Sequence, residues 1–272
     1  MEDRTDVRAP LPLSQQWTLI NAFGQRDLKA KFNGTLLGWV WSLVVPLATL
    51  GIYTLIFGGL FNMKVPGATD RQQGIEFFAV WLFAGLTVWG YFQNSINAGI
   101  SGLLGAGSLL QKVYFPAYAP VLGAGLAVGV QSLIEAGLLL VVFIFLGIFG
   151  WTWILIPFLG LLLFVFVQSI AVMLAVWNIY VRDLAQLVGV ILQLMFYGTP
   201  IIYAVDYVPP SLQKFVGHMP MAEFIGLFRN VSFDTTPGYW KSWVACAAWA
   251  GIAFLGARFV YRKWGADLGE RI

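Results

Sequence analysis

Six long apolar runs, separated by short clusters of charge, glycine and proline, dominate the chain: Leu36 to Phe61, Phe77 to Ala98, Ala119 to Gly150, Trp151 to Val181, Leu184 to Ala204 and Trp240 to Val260. A bilayer hydrocarbon core of about 30 Å takes roughly 20 residues of helix, and each run reaches that length. The pattern predicts an all-α integral membrane protein with six transmembrane helices. The third and fourth runs exceed about 25 residues, the upper end for a spanning helix. They meet at a charge-free turn near Gly147 to Trp153 and read as an αα-hairpin that tilts or projects beyond the hydrocarbon. Ahead of the first run the pattern changes. From Ser14 to Asn33, the apolar Trp17, Leu19, Ile20, Phe23, Leu28 and Phe32 are interleaved with Gln15, Gln16, Asn21, Gln25, Arg26, Asp27, Lys29 and Lys31. Such a segment predicts an amphipathic helix in the headgroup plane with its basic groups among phosphates; a positive-inside anchor ahead of the first span is the other use of the same charges.

Composition explains why lipid must be the solvent. Of 272 residues, 59% are apolar and 11% charged, with a mean hydropathy of +0.76, against about 45–50% and roughly 25% in soluble domains. The missing charge leaves a surface that only lipid can cover. One membrane domain over residues 1–272 is expected: a cytoplasmic tail and amphipathic helix (1–35), a six-helix bundle (36–260) and a second cytoplasmic tail (261–272). The 16 Lys and Arg residues set its orientation. With both termini cytoplasmic, Arg4, Arg8, Arg26, Lys29, Lys31, Lys112, Arg182, Arg258, Arg262, Lys263 and Arg271 lie inside, and Lys64, Arg71, Lys214, Arg229 and Lys241 outside, a ratio of 11 to 5 that satisfies the positive-inside bias. Residues 1–13 carry no apolar signal-peptide core, so insertion is expected to rely on the spans.

Several chemistries are excluded by count. With one Cys (Cys246) and one His (His218), the chain cannot form an intrachain disulfide or a four-ligand Cys/His zinc site, and a Ser-His-Asp triad would rest on that single imidazole. No catalytic, cofactor or metal site is expected. A G-x-x-x-x-G-K-[ST] phosphate loop is absent, and no soluble segment is long enough for a nucleotide fold, so an energised transporter would have to borrow its ATPase.

Four segments carry candidate function. The loop Gly102 to Pro120 (GLLGAGSLLQKVYFPAYAP) predicts a short helix ended by Pro116, with Lys112 outward and Val113, Tyr114 and Phe115 as a knob for a partner's groove; a re-entrant segment touching only lipid is the alternative. The turn Asn178 to Gln186 carries Arg182 and Asp183, read either as a capped start to span five or as an intersubunit pair. Span five ends in YGTPIIYAVDYVPP, where Thr199 and Pro200 interrupt the run. Broken backbone at membrane depth survives only inside protein or along a water-filled cavity, so Gly198 to Tyr207 is expected to kink and return at the outer mouth. Glu135 is the only ionisable residue deep inside a predicted span. It can pair with a polar neighbour such as Gln131, Ser132, Gln168 or Asn178, line a pathway, or couple protons. Gly125 and Gly129 have the GxxxG spacing that lets helices approach.

Taken in order, these motifs resemble the ABC-2-type permeases of bacterial lipid-linked polysaccharide exporters, the family that exports O-antigens, teichoic acids and related cell-wall glycans. The resemblance covers nearly the whole chain. It rests on Arg26-Asp27-Leu28-Lys29 followed by Leu37-Gly38-Trp39-Val40-Trp41 and Pro46; on Lys112-Val113-Tyr114-Phe115-Pro116; on Arg182-Asp183-Leu184; and on Thr199-Pro200-Ile201-Ile202-Tyr203 with Pro209. It implies a homodimer of six-helix permeases bound to two copies of a separate ATPase subunit, which would hold the ATP and Mg; no nucleic acid is implied. By the same analogy Leu109 to Phe115, including Leu110, Lys112, Val113, Tyr114 and Phe115 before Pro116, is a coupling helix in the ATPase cleft. Ser14 to Lys31 is then a gate helix where Arg26, Asp27, Lys29 and Lys31 meet the lipid diphosphate. The chain departs from the family pattern at Ala117, where Arg is common after Phe-Pro, and at Met219, where Asn is usual before Pro. Sugars stack on aromatic faces, so Trp89, Tyr91, Phe92, Phe196, Tyr197 and Tyr203 are candidates to line the pathway. The substrate expected is a cell-wall galactan precursor, with O-antigen or teichoic acid, a drug or lipid, and passive lipid scrambling as alternatives, and the location the bacterial plasma membrane.

Overall fold

The computed structural model describes residues 12–32, 34, 36, 38–61, 65, 75–113, 115–265 and 268, without the side chains of residues 32, 58, 75 and 76. Tyr114 of the first loop, and Arg4, Arg8, Lys64, Arg71 and Arg271 of the charge count, lie outside those residues. Among the described residues the regular structure is entirely helical, with ten α-helices and no strand. A chain facing hydrocarbon must satisfy its backbone within each segment, and helices do so.

α1 (Leu13–Phe32) ends with Lys29 and Lys31 in its last turn, where cations meet the negative end of the helix dipole. α2 (Trp41–Tyr53) starts from a tight turn at Gly38–Val40 and passes into a π-helical turn at Thr54–Leu60, where the Phe61 N–H reaches back five residues to the Ile56 carbonyl at 3.1 Å. α3 (Ile75–Gly105) has 31 residues, about 46 Å at 1.5 Å per residue, so it outruns the hydrocarbon and extends seven residues beyond the expected end at Ala98. α4 (Gly107–Leu110) is a single turn. α5 (Tyr118–Phe145) and α6 (Ile156–Tyr180) form the expected hairpin. Its turn is set by Gly147 in the left-handed region (φ +74°), which glycine adopts without strain. α7 (Leu184–Gly198), α8 (Pro210–Gly217), α9 (Pro220–Ser232) and α10 (Trp240–Trp264) complete the chain.

The core lies where α3, α6, α9 and α10 meet, with α5 against α3. Small residues set the spacing. A β-carbon on Gly99 of α3 would lie 2.9 Å from the Val121 side chain and 3.1 Å from that of Ala171, so this glycine lets α5 and α6 close on α3 together. α10 buries Cys246, Ala250, Ala253 and Ala257 on one face, a small-residue stripe of the same kind.

Among the described residues, four stretches are long and apolar enough to cross a membrane by themselves: Gly38–Phe57, Tyr118–Phe145, Trp151–Tyr180 and Trp240–Trp264. Two of the six expected spans differ from that pattern. α3 is long but carries Gln93, Asn94 and Asn97. α7 has 15 residues and stops at Gly198, six short of Ala204, because the residue before a proline is driven out of helical geometry and Thr199 is extended (φ −91°, ψ 141°). The loop helix expected across Gly102 to Pro116 is also divided. α3 runs on to Gly105, Ala106 breaks it, and α4 adds one turn.

Candidate functional site

Three of the four residues expected on the gate helix come together. Arg26, Asp27 and Lys31 form one wall of a hollow of about 360 Å³, closed by Ala98, Ser101 and Gly102 of α3 and by Ala124, Ala127 and Val128 of α5. Lys29 is exposed outside it. Asp27 Oδ1 accepts from Arg26 Nε at 2.9 Å and pairs with Arg26 Nη2 at 2.9 Å, and the guanidinium lies 5.1 Å from the Phe23 ring centroid. Arg26 and Lys31 bring two cations and Asp27 one carboxylate to this wall, over a floor of side chains too small to fill the space. That combination suits an anionic headgroup.

The hollow exists because α1 docks on protein. Its apolar stripe was expected to face lipid, yet Ile20 and Phe23 are buried against Ala106, Phe115 and Ala119, while Leu13 and Trp17 stay exposed. Glycines on both helices permit the crossing: a β-carbon on Gly24 would lie 3.1 Å from the Gly123 carbonyl oxygen, and one on Gly123 would lie 2.8 Å from that of Ile20. The Tyr118 hydroxyl donates to Gln16 Oε1 at 2.7 Å. Further along, Lys31 Nζ lies 3.5 Å from Gln131 Oε1, and Gln131 Nε2 donates to Glu135 Oε1 (3.2 Å) and to the Ser42 carbonyl (3.3 Å). Glu135 therefore meets Gln131 on its own helix, through which it is tied to α1 and α2. Gln168 instead fills the notch opposite Gly125, where a β-carbon would overlap its amide, and donates to the Tyr91 hydroxyl at 3.0 Å.

Of the described residues of the expected knob, Val113 is exposed and Phe115 is not. Phe115 is only 6% exposed and sits 5.5 Å from the Phe23 ring, because Pro116 turns the chain into α5 and brings the ring under α1. Ser108, Leu109, Gln111, Lys112 and Val113 are exposed among the described residues of the loop, with Leu110 half-buried. Ala117, where the family pattern favours Arg, is buried at the N-cap of α5, a position with no room for a long cation.

The aromatic candidates divide. Trp89 and Phe92 are buried, and their rings run in a continuous series with neighbouring helices: Phe196 to Trp89 at 5.8 Å, Trp89 to Phe92 at 5.4 Å, Phe92 to Phe166 at 6.2 Å and Phe166 to Phe224 at 5.3 Å. Within a single chain this series packs α7, α3, α6 and α9 together and offers Trp89 and Phe92 no free face. Tyr91 is buried beside a second, apolar hollow of about 500 Å³ between α3, α5, α6 and α9. Tyr197 is 64% exposed. The Tyr203 hydroxyl bonds the carbonyls of Tyr197 and Gly198 at 3.1 Å each, so it closes the end of α7.

Residues 18–233 match the ABC-2 type transporter family. The chain belongs to that family. Two Klebsiella pneumoniae proteins described as the O-antigen export system permease protein RfbA are similar to it. One is 26% identical over 239 residues, 86% of this chain and 87% of its own length; the other is 25% identical over 233 residues, 84% and 85%. A Myxococcus xanthus protein of the same description is 29% identical over 273 residues, covering 98% of this chain and all of its own length. The expectation of an ABC-2 permease, a transport subunit rather than an enzyme, agrees with these relatives. The ABC-2 match runs from α1 to just past the end of α9, so it includes the hollow at Arg26 and the break at Thr199.

Two polar residues inside the ABC-2 region were not legible as site residues. The start of α7 is capped by Asn178, whose Oδ1 accepts from the Ala185 N–H at 2.8 Å. Asp183, for which a cap was one of the two readings, stands at the N-cap position without a side-chain cap bond, and it and Arg182 are exposed. Asn178 lies seven residues upstream, beyond the spacing of ordinary capping motifs. Arg229, counted as an outer charge, is only 6% exposed. Its Nε donates to the Trp81 carbonyl (3.1 Å), Nη1 to that of Pro200 (3.1 Å) and Nη2 to that of Ile201 (2.7 Å), with the guanidinium 3.4 Å from the Trp81 ring centroid. Burial pulls its pKa down to about 9, opposed by the Asp234 carboxylate, so the group stays cationic at neutral pH. The available signal was its register in α9: at helical spacing Arg229 shares a face with the buried Ala222 and Ile225 rather than with Glu223 and Asn230.

Proposed function

We propose that this chain is the permease subunit of an ATP-driven exporter that moves a polyprenyl-diphosphate-linked polysaccharide out of the bacterial cytoplasm. It would act as a homodimer, with six crossings per copy and both termini cytoplasmic. The observation that carries the reading is the hollow in which Arg26 and Lys31 face small residues of α3 and α5. A diphosphate needs fixed cations and room for its bulk, and the wall supplies one while the floor supplies the other. The relatives, described as O-antigen export permeases, favour an O-antigen-type glycan; a cell-wall galactan carried on the same kind of lipid belongs to the same substrate class.

The coupling point in this reading is the exposed face formed by Leu109, Lys112 and Val113. Leu110 and Phe115 of the same loop pack against Ile20 and Phe23, so movement of the loop would be carried to the helix that bears Arg26 and Lys31. ATP and Mg belong to two copies of a partner ATPase. Their binding energy would move the loops of both permeases.

The test starts from the tagged chain in mild detergent. A stoichiometric ATPase is expected to co-purify; a permease that emerges alone from several detergents would favour passive lipid scrambling. In the reconstituted complex, the double substitution Arg26→Ala with Lys31→Ala should lower ATP-dependent export of a lipid-linked glycan at least tenfold with assembly intact, as loss of two charge-assisted contacts implies. Undiminished export by that variant would remove the hollow from the route.

A further inference from the structure

Arg229 is buried without being used by the transport reading. Its three hydrogen bonds all end on main-chain carbonyl oxygens, two of them, Pro200 and Ile201, in the break that terminates α7, and the third, Trp81, in α3. A helix that stops inside protein leaves carbonyls without partners, and buried carbonyls without partners are costly. Arg229 supplies the donors from a third element, α9. The seat is shaped for it: Gly85 of α3 faces the guanidinium, and a β-carbon there would overlap Nη2, while the Trp81 ring covers the opposite side at 3.4 Å. Beside these bonds the Ile201 side chain is fully buried.

We propose that Arg229 is the positioning residue that latches the C-terminal end of α7 against α3 and α9. The latch is local. When the guanidinium lets go, the break at Thr199 to Ile201 opens as a unit while the helix core stays packed, because the three bonds join main-chain groups at one end of the bundle and none reaches the α6–α10 face. The proposal stands on these contacts independently of the exporter reading, and its test uses no transport, no substrate and no ATPase.

The single native cysteine makes the test internal. Cys246 is fully buried in α10, an element that none of the three latch bonds reaches, and reports global loosening. Ile201→Cys in a Cys246→Ala background reports the break. Both are exposed to a hydrophilic maleimide with the full-length chain in lipid nanodiscs. With Arg229 intact, both cysteines should be protected. Arg229→Lys, whose single ammonium cannot reproduce the guanidinium's three bonds, should raise labelling of Cys at 201 at least tenfold, the effect of losing one charge-assisted bond on a local opening equilibrium, with Cys246 still protected. Gly85→Ala, which displaces the guanidinium and keeps its charge, should do the same. Protection of position 201 retained in both variants would overturn the latch. So would Cys246 labelling that rises in step with position 201 in both, because Arg229 would then be a packing residue of the whole bundle.

Discussion

At the scale of single residues, Phe115 and Val113 separate two roles that their sequence proximity merges. Phe115 packs under α1, 5.5 Å from Phe23, whereas Val113 is 56% exposed two residues earlier. Phe115→Asp should therefore unseat α1 and lower the thermal midpoint of the purified permease, since a carboxylate in an apolar cluster loses both packing and solvation. Val113→Asp should leave that midpoint unchanged and reduce the ATPase activity that the permease stimulates in its partner. A pair of variants with the opposite pattern would move the contact surface from 109–113 to the aromatic ring. Glu135 teaches the same distinction. Its residue type marks it as functional in a membrane span, but its partner, Gln131 at i−4, is a helix-surface neighbour, and only the fold adds Lys31 and the Ser42 carbonyl to that amide.

Between elements, the docking of α1 on α5 governs whether the cationic hollow exists at all. Gly24 and Gly123 meet backbone to backbone, and every charged residue of the hollow lies on α1. Gly123→Leu should push α1 away: trypsin would cut at Arg26 or Lys29 many-fold faster, while Cys246 in the core remains protected from thiol reagents. Cleavage as slow as in the native chain would mean that α1 is held by contacts other than this crossing. The division of span five follows the same logic at its other end. Thr199-Pro200 stops α7 wherever it occurs, yet what closes the stop is supplied by Tyr203 and Arg229, from outside the helix.

Across the whole molecule, burial is lopsided. α3 and α6 are enclosed, whereas α2 buries only Ser42 and Pro46, and α7 only Val188 and Leu192. α7 shows Leu187, Val190, Ile191, Leu194 and Tyr197 on its exposed side. In the homodimer proposed here these faces would pack against the second copy, around a pathway in which the exposed ring of Tyr197 would be available to sugars. Ile191→Lys with Leu194→Lys should convert the purified complex to single permease subunits by light scattering, without lowering the thermal midpoint of the subunit. A dimer that survives both charges would place the contact between copies elsewhere.

How much of this was legible follows from range. Periodicity and hydropathy act over neighbouring residues, so the sequence by itself determined the helical class, the α5–α6 hairpin at Gly147, the amphipathic α1 and the stop at Thr199-Pro200. The order of its motifs also carried the ABC-2 resemblance, because spacing along the chain is a sequence property. Only the tertiary structure decided which face each helix buries: that Ile20 and Phe23 seek α5, that Trp89 and Phe92 pack with α6 and α7, that Asn178 and not Asp183 caps α7. Arg229 is the clearest case. The sequence places its charge on the outer side with the other basic residues, and the three carbonyls that take up donors from its Nε, Nη1 and Nη2 lie 28, 29 and 148 residues away along the chain.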